Sequence, residues 1–320
     1  MRGIMSLVDD ILRGDEKSAA RLITGIENGE REAYQDLSLL FPRTGKAHII
    51  GVTGPAGAGK STLIGRLALA FAESGKSVGI IATDPTSISG RGAFLGDRLR
   101  MKGAEKHNIF IRSMAHRSYP GGVAKAAAAA AYIMEGLGKD CIIVESIGAG
   151  QSDKDLFFLC DTVVTIFTPD YGDEIQLFKA GLMEIGDIIV VNKSDTPGAD
   201  DAARDIGFAS RQRARSNGWD APVLLTVAET GSGIPALVDA IEAHWLSLTE
   251  KGGMAARKAD HTEAFMMALL KEELWQKTSA ALVDSQAFKE ISLEVRSGRT
   301  DPYSAVRKIL EGLEHEWTFH

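Results

Sequence analysis

Gly54, Gly59, Lys60 and Ser61 occupy the fixed positions of G-x-x-x-x-G-K-[ST] in GPAGAGKST, residues 54–62. Glycines at this spacing let successive backbone N–H groups turn toward one anion. A lysine reaches the terminal phosphates, and a serine hydroxyl can hold a magnesium ion. Ala56, Gly57, Ala58 and Thr62 complete the cradle. The pattern predicts a bound nucleoside phosphate with Mg2+ and leaves kinase, ATPase, GTPase and motor open.

VVNKSD at 190–195 narrows the base. Asn-Lys-x-Asp directly after a strand reads guanine: Asp195 can accept from the ring N1 and the exocyclic amine, a pairing that adenine does not offer. Asn192 braces the loops and the Lys193 stem covers the base. Downstream, TVAETGSG at 226–233 lets Ala228 and Glu229 present backbone groups to guanine. GTP is therefore preferred to ATP.

Phosphoryl transfer is mostly positioning and charge stabilisation, so acids at strand ends are the groups to find. Three qualify: Asp84 in IIATDPTS, Asp97 in FLGDRLRM and Glu145 in IIVESIGAGQS. Each has a plainer reading, as a turn cap, an arginine partner and a solvated strand end respectively. Together beside a phosphate loop they point, with Ser61, to a Mg2+ site, and Lys60, Asp97 and Glu145 become the candidate catalytic groups. No Ser-His-Asp or Cys-His constellation is evident. His116 in SMAHRSYPGG reads as a surface histidine, and the chain lacks the His-rich or Cys-rich tract of a metal-carrying GTPase.

Such groups need rigid strands beneath them. Short β-branched runs recur at 47–53, 77–83, 109–113, 140–145, 161–167, 187–191 and 222–226, separated by helical patterns. This alternation predicts an α/β fold with a mostly parallel sheet of about seven strands flanked by helices, with ligands at the strands' carboxyl ends. The phosphate loop, Asp84, Glu145, the Asn-Lys-Ser-Asp motif and the Ala228 segment fall at or just after the ends of these runs, and Asp97 follows further along the segment after the second. The alanine run at 125–131 predicts a packed helix without a functional role. The expected organisation is an N-terminal helical extension over 1–45, a P-loop GTPase domain over 46–250 and a C-terminal helical segment over 251–320, amphipathic enough to suggest a subunit interface.

Bulk composition sets outer bounds. The 320 residues carry 36 basic and 43 acidic side chains, a formal charge of -7, which argues against nucleic acid as a constitutive partner. Cys141 and Cys160 are too few for a disulfide framework and read as buried thiols in a reducing compartment. The N-terminal MRGIMSLVDDILRGDEKS acquires acids too early for a secretory signal, and no apolar run is long enough to span a membrane. A cytoplasmic protein with no membrane partner is expected.

DPTS, LGDRLRM, IIVESIGAGQS, GDEIQLFKAG and VVNKSD, in this order, resemble the successive motifs of the methylmalonyl-CoA mutase-associated GTPases, the MeaB/ArgK group of the SIMIBI class. The resemblance runs from about residue 48 to 235. It implies a homodimeric, Mg2+-dependent GTPase that hydrolyses GTP to GDP and serves as chaperone to an adenosylcobalamin-dependent acyl-CoA mutase, gating cofactor loading and release of damaged cobalamin. Residue by residue it matches Lys60 and Ser61 to the phosphate loop and Asp84, Asp97 and Glu145 to the acids around magnesium. Arg100 falls in the switch after Asp97. Asp173, Gln176 and Lys179 fall in a further switch segment facing the mutase, and the C-terminal arm becomes a dimerisation element. Arg91, Tyr119-Pro120 and Asp170-Tyr171 depart from the family pattern in loops expected to face the partner, which bears on the client: methylmalonyl-CoA mutase, or an isobutyryl-CoA or 2-hydroxyisobutyryl-CoA mutase. The alternatives are a P-loop kinase acting on a small molecule or protein, and a nickel-inserting metallochaperone GTPase.

Overall fold

The computed structural model describes residues 6–84, 109–115, 122–146, 159–169, 185–211, 218–250 and 252–317. Among these residues seven strands form one sheet: β1 (His48–Thr53), β2 (Val78–Asp84), β3 (Ile109–Ala115), β4 (Cys141–Glu145), β5 (Thr162–Phe167), β6 (Ile188–Asn192) and β7 (Val223–Thr226). Their order is β3-β2-β4-β1-β5-β6-β7 and every pairing is parallel. Among the described residues the helices are α1 (Leu7–Leu12), α2 (Glu16–Asn28), α3 (Arg31–Leu40), α4 (Lys60–Glu73), α5 (Gly122–Gly136), α6 (Ala199–Arg211), α7 (Ile234–Glu250), α8 (Gly253–Asp284), α9 (Gln286–Arg296) and α10 (Pro302–Trp317).

Each strand lies within one or two residues of a β-branched run in the sequence. All residues of β1, β4, β5 and β6 are buried, as expected of parallel strands covered on both faces. The chain leaves β1 for β2 on one side and β4 for β5 on the other, which opens a crevice at their carboxyl ends. The phosphate loop, between β1 and α4, sits at that crevice.

On one face Leu63, Ile64, Leu67 and Phe71 of α4, with Leu237 and Ile241 of α7, pack on Ile50, Val52, Val164, Ile166 and Val190. On the other face α5 packs on β2, β3 and β4 and is itself covered by α2 and α3. Ala127, Ala128, Ala130 and Ala131 are fully buried. A helix enclosed on both sides favours small side chains, which accounts for the alanine run. The approach is close: a Cβ added to Gly136 would lie 2.6 Å from Leu40 Cδ1. Helices α1 to α3 thus belong to the first compact unit, Met1–Phe265.

A buried polar chain ties together the amino ends of the strands. His48 Nε2 lies 2.7 Å from Thr162 Oγ1, which lies 2.9 Å from His244 Nδ1, and His244 Nε2 lies 3.6 Å from Asp187 Oδ1. Asp187 Oδ2 also accepts from the Val163 amide (2.9 Å) and from Arg257 on α8 (3.0 Å). Beside it, Asp161 accepts from the Ile49 amide at 2.9 Å, with Lys258 Nζ at 3.8 Å. Burial holds His48 well below the usual histidine range, pushes Asp161 up to about 6 and draws His261 down to about 4. The ring of His48 stacks on Trp245 at 4.2 Å.

The second unit, Met266–His320, holds the remainder of α8 with α9 and α10. Ser285 caps α9 by accepting from the Phe288 amide (3.1 Å), Asp301 caps α10 through the Tyr303 and Ser304 amides, and Lys308 pairs with Glu294 at 3.1 Å. Cys141 and Cys160 are buried thiols, and burial raises both pKa values. No helix among the described residues is long and apolar enough to cross a membrane.

The histidine shift has a sign. A folded-state pKa below the unfolded value means that the unfolded chain binds more protons under acid conditions, so stability falls as pH drops below about 6.5, by at most about 1.4 kcal/mol per pH unit for one such group. Asp161 acts oppositely, its protonated form being favoured in the fold between about pH 4 and its raised pKa. His48→Phe, which keeps the stacking and removes the titration, is expected to lower the melting temperature at pH 7.5 and to flatten its decline between pH 6.5 and 5, read by thermal denaturation across that range.

Candidate functional site

The phosphate loop turns where its glycines stand. Gly54, Gly57 and Gly59 have φ of 154°, 78° and 89°, a region that other residues enter at a cost. Two of them also leave necessary space. A Cβ on Gly54 would lie 2.5 Å from the Ile166 carbonyl oxygen of β5, and one on Gly59 would lie 2.5 Å from Asn192 Nδ2. Ala58 is fully buried, while Ala56 and Gly57 form the exposed crest. Lys60 Nζ donates to the carbonyls of Gly54 (2.9 Å) and Pro55 (3.1 Å), which spans its charge across the loop. A phosphate oxygen replacing these carbonyls would make a stronger, charge-assisted bond.

Ser61 and Glu145 meet at the mouth of this loop. Ser61 Oγ donates to Glu145 Oε1 at 2.6 Å, and Glu145, the last residue of β4, is only 6% exposed. Register explains the approach: Glu145 pairs with Val52 of β1, one residue before the strand's end, so β4 delivers its carboxylate beside the loop that β1 feeds. A hydroxyl and a carboxylate are hard oxygen donors of the kind that Mg2+ takes. Asp84 ends β2, adjacent to β4 on the same carboxyl edge. Asp97, Arg100, Asp173, Gln176 and Lys179 lie outside the described residues.

Asn192 joins the phosphate loop to the end of β7 and the loop that follows it. Its Nδ2 donates to the Ala58 carbonyl at 2.8 Å, and its Oδ1 accepts from the Ala228 amide at 3.0 Å and the Thr226 hydroxyl at 3.1 Å. The side chain is 2% exposed, so these bonds are made away from water. Immediately after it, Lys193 adopts φ 58°, and its carbonyl accepts from both the amide (3.0 Å) and the hydroxyl (2.7 Å) of Thr196. A left-handed non-glycine residue persists only when its surroundings over-determine it. The turn leaves Lys193 and Asp195 exposed. The Ala228 amide is thus engaged with Asn192, and the carbonyls of Ala228 and Glu229 accept from Arg66 on α4, the first at 3.1 Å. Arg66 belongs to no motif, and nothing in the sequence around it signals a contact 162 residues away.

A parallel sheet whose first strand feeds a glycine-bent phosphate loop, with a hydroxyl–carboxylate pair beside it and an Asn-Lys-Ser-Asp turn after β6, is the architecture of a P-loop GTPase, a class that binds GTP or GDP with Mg2+ and hydrolyses GTP. Residues 19–283 match the family described as Methylmalonyl Co-A mutase-associated GTPase MeaB, and the chain belongs to that family, within the SIMIBI class. The "Putative GTPase" of Pyrococcus horikoshii is 40% identical over 318 residues, 97% of this chain and 98% of the relative. The mouse "Methylmalonic aciduria type A homolog, mitochondrial" is 30% identical over 272 residues, 83% of this chain and 65% of the relative. A crystal structure of an LAO/AO transport system kinase shares the fold, with a TM-score of 0.74 at 22% identity over 96% of each chain.

Asn192→Ala would strand the Ala58 carbonyl and the Ala228 amide in a dry site, each at a cost of about 1–3 kcal/mol if left unpaired. The variant is expected to lower stability by about 2–6 kcal/mol in urea titration, the cost of the two groups together. It should also weaken GDP binding by at least about tenfold in calorimetry.

Proposed function

We propose that this GTPase is the chaperone of an adenosylcobalamin-dependent acyl-CoA mutase, using GTP binding and hydrolysis to gate cofactor loading and the protection or reactivation of its client. The observation that carries the reading is membership of the mutase-associated GTPase family across residues 19–283. In this reading Lys60 and the loop amides bear the phosphates, and Asn192, Lys193, Asp195, Ala228 and Glu229 form the guanine end. Ser61, Asp84, Asp97 and Glu145 would hold Mg2+, which neutralises phosphate charge when bound. Asp97 and Glu145 further orient water, and Arg100, Asp173, Gln176 and Lys179 report the nucleotide state to the mutase. Loops ordered by a γ-phosphate suit such a role. Methylmalonyl-CoA mutase is the first client to test. The departures at Arg91, Tyr119-Pro120 and Asp170-Tyr171 make isobutyryl-CoA and 2-hydroxyisobutyryl-CoA mutases its competitors.

The reading includes a homodimer formed through the C-terminal arm, in the cytoplasm. Met266, Leu270 and Leu274 recur every four residues on α8 with 57%, 47% and 43% exposure, and Trp275 beside them is 62% exposed. Apolar side chains repeated along one helix and left open to water are the composition of an interface.

Two measurements test the proposal. Phosphate release should be faster with GTP than with ATP and should rise further on adding the client mutase; equal use of ATP removes the guanine assignment, and indifference to all three mutases removes the chaperone role. Leu270→Glu with Leu274→Glu should shift the light-scattering mass from dimer toward protomer while the protomer retains GDP binding.

A further inference from the structure

The loop at 227–233 is built as a tight turn. The Thr230 and Gly231 amides donate to the Val227 carbonyl (3.1 and 2.9 Å), and the Val227 amide donates to Ser232 (3.0 Å). Gly233, at φ 77°, closes it where a Cβ would stand 2.1 Å from the Leu225 carbonyl oxygen. These bonds fix the base of the turn. Its leading edge, the Ala228 and Glu229 peptides, is held from outside. Asn192 takes the Ala228 N–H, and Arg66 takes the next two carbonyls, donating through Nε to Ala228 and through a terminal nitrogen to Glu229.

We propose that Arg66 is a positioning residue for guanine discrimination, a role that rests on reading this loop as the guanine end of the site. A guanidinium presents its donors in a fixed planar fork, so two carbonyls bound by one fork have a defined mutual orientation. Here the fork rises from α4, the helix that opens with Lys60 and Ser61. The peptides that face the base are therefore registered to the helix that carries the phosphate groups. Asn192 holds the N–H of the 227–228 peptide of buried Ala228 (3% exposed), whereas the carbonyls that Arg66 holds belong to the 228–229 and 229–230 peptides, so turning either of those two peptides requires an Arg66 bond to break. Without Arg66, Asn192 holds one end of the segment and the Glu229 peptide turns independently. The loss should then fall on the choice of base, because Arg66 makes neither of the Lys60 and Ser61 contacts at the phosphate end.

The test uses the full chain and fluorescent GDP and ADP, titrated against wild type, Arg66→Ala and Arg66→Lys. Wild type must first prefer GDP; equal affinities would sink the guanine reading itself, separately from the role of Arg66. Given that preference, Arg66→Ala should weaken GDP by about tenfold with little change for ADP, compressing the ratio of the two constants, and should raise KM for GTP while kcat holds. Arg66→Lys, with charge but no fork, should remain closer to Ala than to wild type. An unchanged GDP/ADP ratio would overturn the proposal. So would an equal loss for both nucleotides, which would mark Arg66 as a general cation for phosphate, or full rescue by lysine, which would mark charge and not geometry as what matters. Should Arg66→Ala not fold, Arg66→Gln and Arg66→Lys carry the same comparison.

Discussion

The carboxamide of Asn192 is the joint on which the nucleotide site depends. One side chain, dry at the end of β6, donates to the phosphate loop at Ala58 and accepts from the loop after β7 at Ala228. Neither bond can form unless the backbone beneath comes close enough, and Gly59 allows it: any Cβ there would fall on the amide nitrogen. Gly59 of the phosphate motif and Asn192 of the Asn-Lys-Ser-Asp turn are therefore one steric unit. The net worth of a hydrogen bond in water is small, but an unpaired donor or acceptor in a dry site costs considerably more, which makes this joint hard to relax.

The two ends of the sheet are stabilised by different physics. At the carboxyl end, backbone amides, glycine turns and a few side chains leave polar groups directed at a crevice. The amino end is closed by the His48–Thr162–His244–Asp187 chain, to which the first turns of α8 attach through Arg257. Burying ionic groups is costly, and the arrangement persists because Asp187 is satisfied by a backbone amide and an arginine. Such a network constrains geometry more than it adds stability. It seats the root of α8 on strands β5 and β6, whose opposite ends line the nucleotide site.

Much of this was legible in the sequence. The β-branched runs located all seven strands because buried parallel strands are apolar on both faces, so their signal is contiguous and survives without alternation. The alanine run announced a helix by propensity, although the reason for its alanines, enclosure between sheet and N-terminal helices, is a matter of packing. The role of Asn192 as a brace was readable from its place after a strand. Arg66 and His244 were not legible. One is an ordinary arginine on a helix and the other a histidine without a motif, and each acquires meaning from a partner far along the chain.

The sequence by itself determined what local backbone geometry enforces: a phosphate loop needs glycines at set spacing, and the turn after β6, with Lys193 at positive φ, is written in consecutive residues. Tertiary structure alone decided which groups brace these motifs. Ser61 reaches Glu145 across 84 residues, Asn192 reaches Ala58 across 134 and Arg66 reaches Glu229 across 163. The reason lies in range. A motif is written where consecutive peptides must share one conformation, whereas a brace requires only that two distant side chains or peptides arrive at the same place, and the folded sheet alone specifies that arrival.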